Sequence, residues 1–226
     1  DLVIVGGGIN GAGAARDAIS RGMKVALVES ADFSSGTSSR SSKLIHGGIR
    51  YLENYEFHLV FEALSERSKL FEIAPHLVHP LRFMIPIYES SRVGMGLMGM
   101  GMWLYDALSL FQAPELHERL DPEASLNRMP ILKTEGLKGT YIYSDAYMDD
   151  DRLVHETLRS ANEDGLAAAN YVKAQGIQYA ADGKFDALEV IDQLSQKKIR
   201  MRARHMICAA GPWTDEVGEM FFKDWK

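Results

Sequence analysis

Asp1-Leu-Val-Ile-Val-Gly6-Gly7-Gly8-Ile9-Asn10-Gly11, running on to Val25-Ala-Leu-Val-Glu29, is the stretch that decides the fold. Leu2 to Val5 is a short β-branched apolar run, the composition of a parallel strand buried on both faces. It stops at three glycines. Gly6, Gly8 and Gly11 stand in the spacing G-x-G-x-x-G: the first allows a tight turn, the second lets backbone approach a pyrophosphate, and the third lets helix lie close on strand. The helix that follows offers its N-terminal N–H groups to phosphates.

A lone G-x-G-x-x-G is a weak signal, since a glycine-rich loop after a strand is often only a turn. Here Ala12 to Ser20 favours helix, Gly22 sits where that helix should stop, and Met23 to Val28 reads as a second buried strand. The strand ends in Glu29, 18 residues after Gly11, close to the ~20 at which a carboxylate meets the ribose hydroxyls of an adenine dinucleotide. An acidic residue there disfavours a 2′-phosphate, which leaves an NAD- or FAD-type site.

Composition sets the bounds around this motif. The 226 residues, 46% of them hydrophobic, are enough for one large domain or two intimate ones. A formal charge of −6 without a basic cluster argues against nucleic acid as a partner. A single cysteine, Cys208, excludes an internal disulfide framework and suits a reducing cytoplasm. The chain starts inside a strand without an initiator Met and ends at Phe221-Phe-Lys-Asp-Trp-Lys226, which predicts a piece of a longer protein. Val93 to Phe111 approaches spanning length, but Asp106 and four glycines argue against a transmembrane helix. Its Met, Trp and Leu content suits a helix packed on another domain or one lying shallowly in a membrane interface.

Further along, Ser30 to Ser42 has the texture of a flexible linker, yet its hydroxyls could serve a pyrophosphate. Glu56 to Ala74 is an amphipathic helix whose core face is Phe57, Val60, Phe61, Leu64 and Phe71. Leu81 to Tyr88 reads as an edge strand because of Pro86. A short helix is expected near Ala113 to Leu120, with Pro122 as punctuation, and an alternating strand at Gly139 to Ser144. Asp149-Asp150-Asp151 invites a metal reading, but successive carboxylates diverge, and helix capping explains them without a metal. A helix at Arg152 to Asn162, a strand at Ala167 to Ala174 and a β-meander over Gln175 to Arg204 follow. His205 to Gly211 closes as a buried strand running into glycine, a second such junction beside the first. The expected organisation is a Rossmann-like dinucleotide-binding domain over 1–75 and 149–226, with 76–148 an inserted α+β substrate or cap domain.

Together VGGGINGAGAARDA, GTSSRSSKLIHGGIRYL, SDAYMDDDRLV and ICAAGPWTD resemble the FAD-dependent glycerol-3-phosphate dehydrogenases, within the D-amino-acid-oxidase group of glutathione-reductase-like flavoproteins. The resemblance covers essentially the entire chain. It implies non-covalent FAD, oxidation of sn-glycerol 3-phosphate to dihydroxyacetone phosphate, and electron transfer to quinone. It also implies a cytoplasmic location, with peripheral attachment to the inner face of the cytoplasmic membrane, and it admits a homodimer. On the cofactor side it assigns Gly6, Gly7, Gly8, Ile9, Asn10 and Gly11 to the pyrophosphate and Glu29 to the adenosine ribose. Thr37, Ser38, Ser39, Ser41, Ser42, Lys43 and Leu44 then wrap the pyrophosphate and flavin. His46 and Gly47 come near the isoalloxazine, Val172 meets the adenine through its backbone, and Ala210, Gly211 and Trp213 complete the cradle. Ala210 stands where the family has a threonine. The substrate-side residues are Arg50, with Tyr51 as its neighbour, and the other basic residues of the family's substrate site lie beyond residue 226.

The chemistry agrees with these residue types. Arginine holds a phosphate dianion bidentately and stays charged. By residue chemistry alone the lesser reading of Arg50 is a surface group paired with Glu53, and the leading reading of His46 is a histidine hydrogen-bonded to backbone beside Gly47. An oxygen-using glycerophosphate oxidase, another amine or hydroxyacid oxidase, and a non-catalytic dinucleotide-binding module are the alternative readings.

Overall fold

Leu2, Val3, Ile4 and Val5 are all buried, and alternate residues enter different cores. Leu2 and Ile4 pack with Ala12, Ala15, Ile19, Val154 and Leu158, whereas Val3 and Val5 pack with Leu188, Val190 and Phe221. An unbroken apolar run is what a strand covered on both faces requires.

The computed structural model describes residues 1–222, 224 and 225. In chain order its elements are β1 (Leu2–Val5), α1 (Ile9–Ser20), β2 (Val25–Val28), β3 (Leu44–Ile45), α2 (Phe57–Ile73), β4 (Val78–Tyr88), α3 (Met95–Leu108), β5 (Glu118–Leu120), α4 (Pro122–Arg128), β6 (Leu137–Met148), α5 (Asp150–Glu163), β7 (Ala167–Ala169), β8 (Val172–Tyr179), β9 (Phe185–Asp192), β10 (Lys198–Arg202), β11 (His205–Cys208) and α6 (Thr214–Phe221).

One unit comprises Asp1–Ser42 and Asp149–Lys226. Its parallel sheet runs β11-β1-β2-β7, with Val5 opposite Cys208 on one side and Val28 on the other. The apolar faces of α1 and α5 cover one side of this sheet, and the antiparallel β10-β9-β8 sheet with α6 covers the other. The expected α/β Rossmann-like architecture is present. Gly22, at φ +80°, ends α1 as its position in the sequence implied. The expected strand at 167–174 is broken at Asn170 and Tyr171, and β8 begins the meander.

The second unit is Lys43–Met148, so the boundary expected at 75/76 falls inside it. The reason is pairing: β6 lies between β3 and β4 in one antiparallel sheet, which ties residues 44 and 45 to 146 and 147. β4 is an edge strand on this path, which tolerates Pro80 and Pro86. Helices α2 and α3 pack Val60, Leu64, Met102 and Tyr105 on Tyr141 and Tyr143 of β6.

Two local expectations change, and a third residue finds its partner. On α2 the buried face is Val60, Leu64 and Arg67, while Phe57 and Phe61 are each 40% exposed. The short helix lies at α4, not at 113–120, because Asp121 caps it by accepting from Ala124 N at 2.8 Å and Pro122 takes its first turn. Asp106 in the apolar α3 is buried and partnered by His117, whose Nδ1 lies 2.7 Å from its Oδ2. Among the described residues no helix is long and apolar enough to cross a membrane.

The two glycines of α1 should behave oppositely. A Cβ on Gly11 would stand 1.9 Å from the Gly6 carbonyl oxygen, whereas one on Gly13 would meet nothing within 4 Å. Gly11→Ala should therefore cost about 2 kcal/mol or more in urea unfolding, and Gly13→Ala should stabilise by up to about 1 kcal/mol.

Candidate functional site

In the first unit the chain turns from β1 into α1 through glycine. Gly6 holds φ +115°, and a Cβ there would lie 2.4 Å from Ala209 O, so β1 and β11 end against each other only because residue 6 has no side chain. Gly8 is the N-cap of α1 and makes no side-chain cap bond, and the first turn carries no acidic residue. Ile9 N donates to Ser38 Oγ at 2.9 Å. Among the described residues, Asn10 N and Gly11 N have no hydrogen-bond acceptor. Two open amides at the positive end of a 12-residue helix form a site for an anion. A diphosphate fits this donor set, and the glycines leave the approach free of Cβ atoms.

Glu29 braces the cradle. Its Oε2 accepts from Gly7 N at 2.7 Å, and its Oε1 accepts from Ala31 N at 2.8 Å and Ser30 Oγ at 3.2 Å. Oε2 thus keeps a lone pair for a ligand hydroxyl. Val172, expected to meet the adenine through its backbone, donates its N–H to Glu29 O at 2.8 Å, so its amide already has an acceptor.

The serine-rich loop is ordered by internal bonds, with a short 3-10 turn over Thr37–Ser39. Ser38 accepts from α1 and retains its own proton to donate. Ser39 Oγ donates to Gly36 O at 3.4 Å, and Ser41 Oγ donates to the buried Asp150 at 2.6 Å. Thr37 and Ser42 are exposed. Ala210 precedes a 3-10 turn over Gly211–Trp213, and the Trp213 ring lies 2.9 Å from where a Gly36 Cβ would stand. The structure therefore brings Gly6 to Gly11, Glu29, Ser38, Val172 and the 209–213 turn into one neighbourhood. Asp150, the first residue of α5, also accepts from Asp151 N at 3.0 Å.

In the second unit Lys43 and Leu44 lead into β3, and Lys43 O accepts from Met148 N at 2.8 Å. His46 and Arg50 are exposed, and neither has a hydrogen bond or ion pair among the described residues. The pairing of Arg50 with Glu53 does not occur: Glu53 is bonded to Arg92. Tyr51, 40% exposed, lays its ring on Gly48.

Beneath His46 and Gly47 lies a cluster that the motifs did not single out. Asp145 Oδ1 accepts from Gly47 N at 3.0 Å, Tyr105 Oη at 2.7 Å and Arg67 Nη1 at 2.5 Å. Arg67 Nη1 also donates to Ser144 O at 2.9 Å. Burial raises the Tyr105 phenol far above its ordinary range, reinforced by the Asp145 charge and hydrogen bond, so it remains a donor. Tyr143 is pushed up to about 12, first by burial and then by Asp145. Two signals existed for this cluster. Arg67 continues the Val60–Leu64 stripe of α2, and Asp145 continues the Tyr141–Tyr143 alternation of β6.

Comparison with known proteins follows the same line. The family model described as FAD dependent oxidoreductase matches residues 1–225. The aerobic glycerol-3-phosphate dehydrogenase of Staphylococcus epidermidis is 41% identical over 217 residues, which are 96% of this chain and 39% of that protein. The chain thus spans about two-fifths of the length of such relatives. Among solved structures, the glycerol-3-phosphate dehydrogenase of Bacillus halodurans complexed with FAD is similar at 33% identity and TM-score 0.74, over 97% of this chain and 36% of that one. The L-α-glycerophosphate oxidase of Mycoplasma pneumoniae with FAD bound matches at 18% identity and TM-score 0.68, over 98% of this chain and 56% of that one, a likeness of fold.

The raised phenols give a pH signature. A folded-state pKa above the unfolded value of about 10 contributes stability fully below pH ~10 and loses it as pH rises through the folded value, near 12 for Tyr143. Thermal unfolding should therefore keep this contribution from pH 7 to 9 and lose it above pH 10. Tyr143→Phe should flatten that alkaline fall, as differential scanning calorimetry would read.

Proposed function

Because the chain belongs to the FAD-dependent oxidoreductase family, we propose that it supplies the dinucleotide cradle and part of the substrate site of an enzyme that oxidises sn-glycerol 3-phosphate to dihydroxyacetone phosphate. The observation that carries this reading to a phosphorylated substrate is Arg50, an exposed guanidinium whose neighbouring carboxylate, Glu53, is taken by Arg92. It is supported by the 41% identity to aerobic glycerol-3-phosphate dehydrogenase across nearly the whole chain.

FAD, when bound, supplies the acceptor for the hydride leaving C2 of the substrate. The open amides of Asn10 and Gly11 and the positive end of α1 hold its pyrophosphate. Ser38, already fixed by Ile9 N, donates its hydroxyl proton there. The remaining lone pair of Glu29 accepts an adenosine ribose hydroxyl, and its charge disfavours a 2′-phosphate. Arg50 grips the substrate phosphate through its planar fork and leaves the three-carbon end to be oriented. His46 lies in the same short segment as Arg50, and Tyr51 is its neighbour there.

Quinone is the electron acceptor in this reading, and the protein attaches peripherally to the inner face of the cytoplasmic membrane. Support comes from α3: Met102, Tyr105 and Asp106 are buried, while Leu97, Met100 and Trp103 are each at least 60% exposed. A helix that presents large apolar side chains outward suits a lipid interface.

The deciding test is an anaerobic flavin spectrum of the complete protein before and after glycerol 3-phosphate. The bands should bleach, and Arg50→Ala should keep its flavin while KM rises about 10–100-fold, the worth of a charge-assisted phosphate contact. Bands that persist in the unaltered protein would sink the substrate assignment. For the membrane, changing Leu97, Met100 and Trp103 to Ser should release the complete protein from quinone-containing vesicles in flotation; unchanged flotation would assign that face to protein packing.

A further inference from the structure

We propose that Asp145, Arg67 and Tyr105 form a buried clamp that fixes the His46–Arg50 turn, and are therefore positioning residues for the phosphate-gripping Arg50. The inference deepens the reading of Arg50 given above and rests on it.

Three donors from three parts of the unit converge on one oxygen. Arg67 comes from α2, Tyr105 from α3 and Gly47 N from the turn itself, and all bond Asp145 Oδ1 on β6. Asp145 is 1% exposed, and Arg67 and Tyr105 are 2% exposed each. A buried guanidinium–carboxylate pair is weak as a source of stability, because desolvation offsets most of its attraction. What it supplies is direction: a fixed, charged acceptor that holds one chosen N–H. Here the chosen N–H belongs to the residue after His46.

Packing closes the clamp from the side. A Cβ on Gly47 would lie 2.2 Å from Leu64 Cδ2 and 2.4 Å from Tyr105 Oη, so the peptide is pressed against the helices that carry the clamp. The next residue, Gly48, holds φ +72°, and its carbonyl accepts from Tyr51 N at 2.8 Å, which starts the 3-10 turn of Ile49–Asn54. Arg50 thus sits one residue into a turn whose preceding peptide is anchored to a buried charge. Its guanidinium has no partner among the described residues, so the backbone anchor is what limits where it can reach.

The test uses the complete protein with Tyr105→Phe and Asp145→Asn, read by steady-state kinetics with glycerol 3-phosphate and by hydrogen–deuterium exchange of the flavin-free form. Tyr105→Phe deletes one donor while keeping shape. We expect it to raise KM about fivefold, and Asp145→Asn to raise it tenfold or more, with kcat changed less. Exchange over residues 46–50 should accelerate about tenfold, while the peptide covering α4 should not change. A Tyr105→Phe protein with a lower melting temperature but unaltered KM and unaltered exchange at 46–50 would overturn the proposal, and this variant decides if Asp145→Asn does not fold. Should the unaltered protein fail to reduce its flavin with glycerol 3-phosphate, the substrate reading falls. The exchange result alone then upholds or removes the clamp.

Discussion

Two glycines meet at the turn from β1 into α1: a side chain on residue 11 would stand 1.9 Å from the carbonyl oxygen of Gly6. Helix α1 can lie on the end of β1 only because Gly11 carries no Cβ. That constraint aims the first amides of α1 at the space beyond the sheet, and a second one, the missing Cβ of Gly6 against Ala209 O, lets β11 end beside β1. Glu29 and Ser38 then bond Gly7 and Ile9, so the loop after β2 and the serine-rich loop are both built onto the same turn. A dinucleotide site here is chiefly backbone, arranged by what the side chains leave out.

This explains why the first unit is so legible in sequence and the second less so. Glycine spacing, a strand apolar at every position and an acidic residue at the end of the next strand are local features, and each reports a backbone requirement directly. The second unit depends on side chains meeting over long separations. Arg67 and Asp145 lie 78 residues apart, and although each continues a buried stripe of its own element, nothing local pairs them. Phe57 and Phe61 share the helical stripe with Val60 and Leu64 and yet remain 40% exposed, because periodicity identifies a stripe without saying which edge of it the sheet covers. The domain boundary followed the same rule. The expected border lay at 75/76, but β3 pairs with β6 across about a hundred residues and pulls 43–75 into the second unit.

The serine-rich loop shows a different limit. As a composition, Ser34 to Ser42 reads either as a flexible linker or as a row of ligand donors. The structure divides the hydroxyls. Ser38 serves α1 and keeps a proton to give, Ser39 closes a turn on Gly36, and Ser41 serves Asp150. Polar residues near a ligand site first satisfy the backbone that forms the site, since buried N–H and C=O groups left unpaired cost more than a ligand bond returns. Which hydroxyl remains for the ligand is a question of geometry that spacing does not answer.

Under the proposed function the two units hold anions by different physics. In the first, amides at a helix end and a cradle without Cβ atoms make a site that is rigid by construction and tolerant of the ligand's identity, since any diphosphate meets the same dipoles. In the second, a single long guanidinium must find one phosphate, and a flexible side chain is selective only if its root is held. The convergence of Arg67, Tyr105 and Gly47 N on one oxygen of Asp145 holds that root three residues before Arg50. Placing a buried charge pair under an exposed, unpaired arginine is intelligible as positioning: the ordering entropy of the turn is met on folding, so in the proposed role of Arg50 a substrate phosphate would have only that side chain's terminal rotamers left to fix.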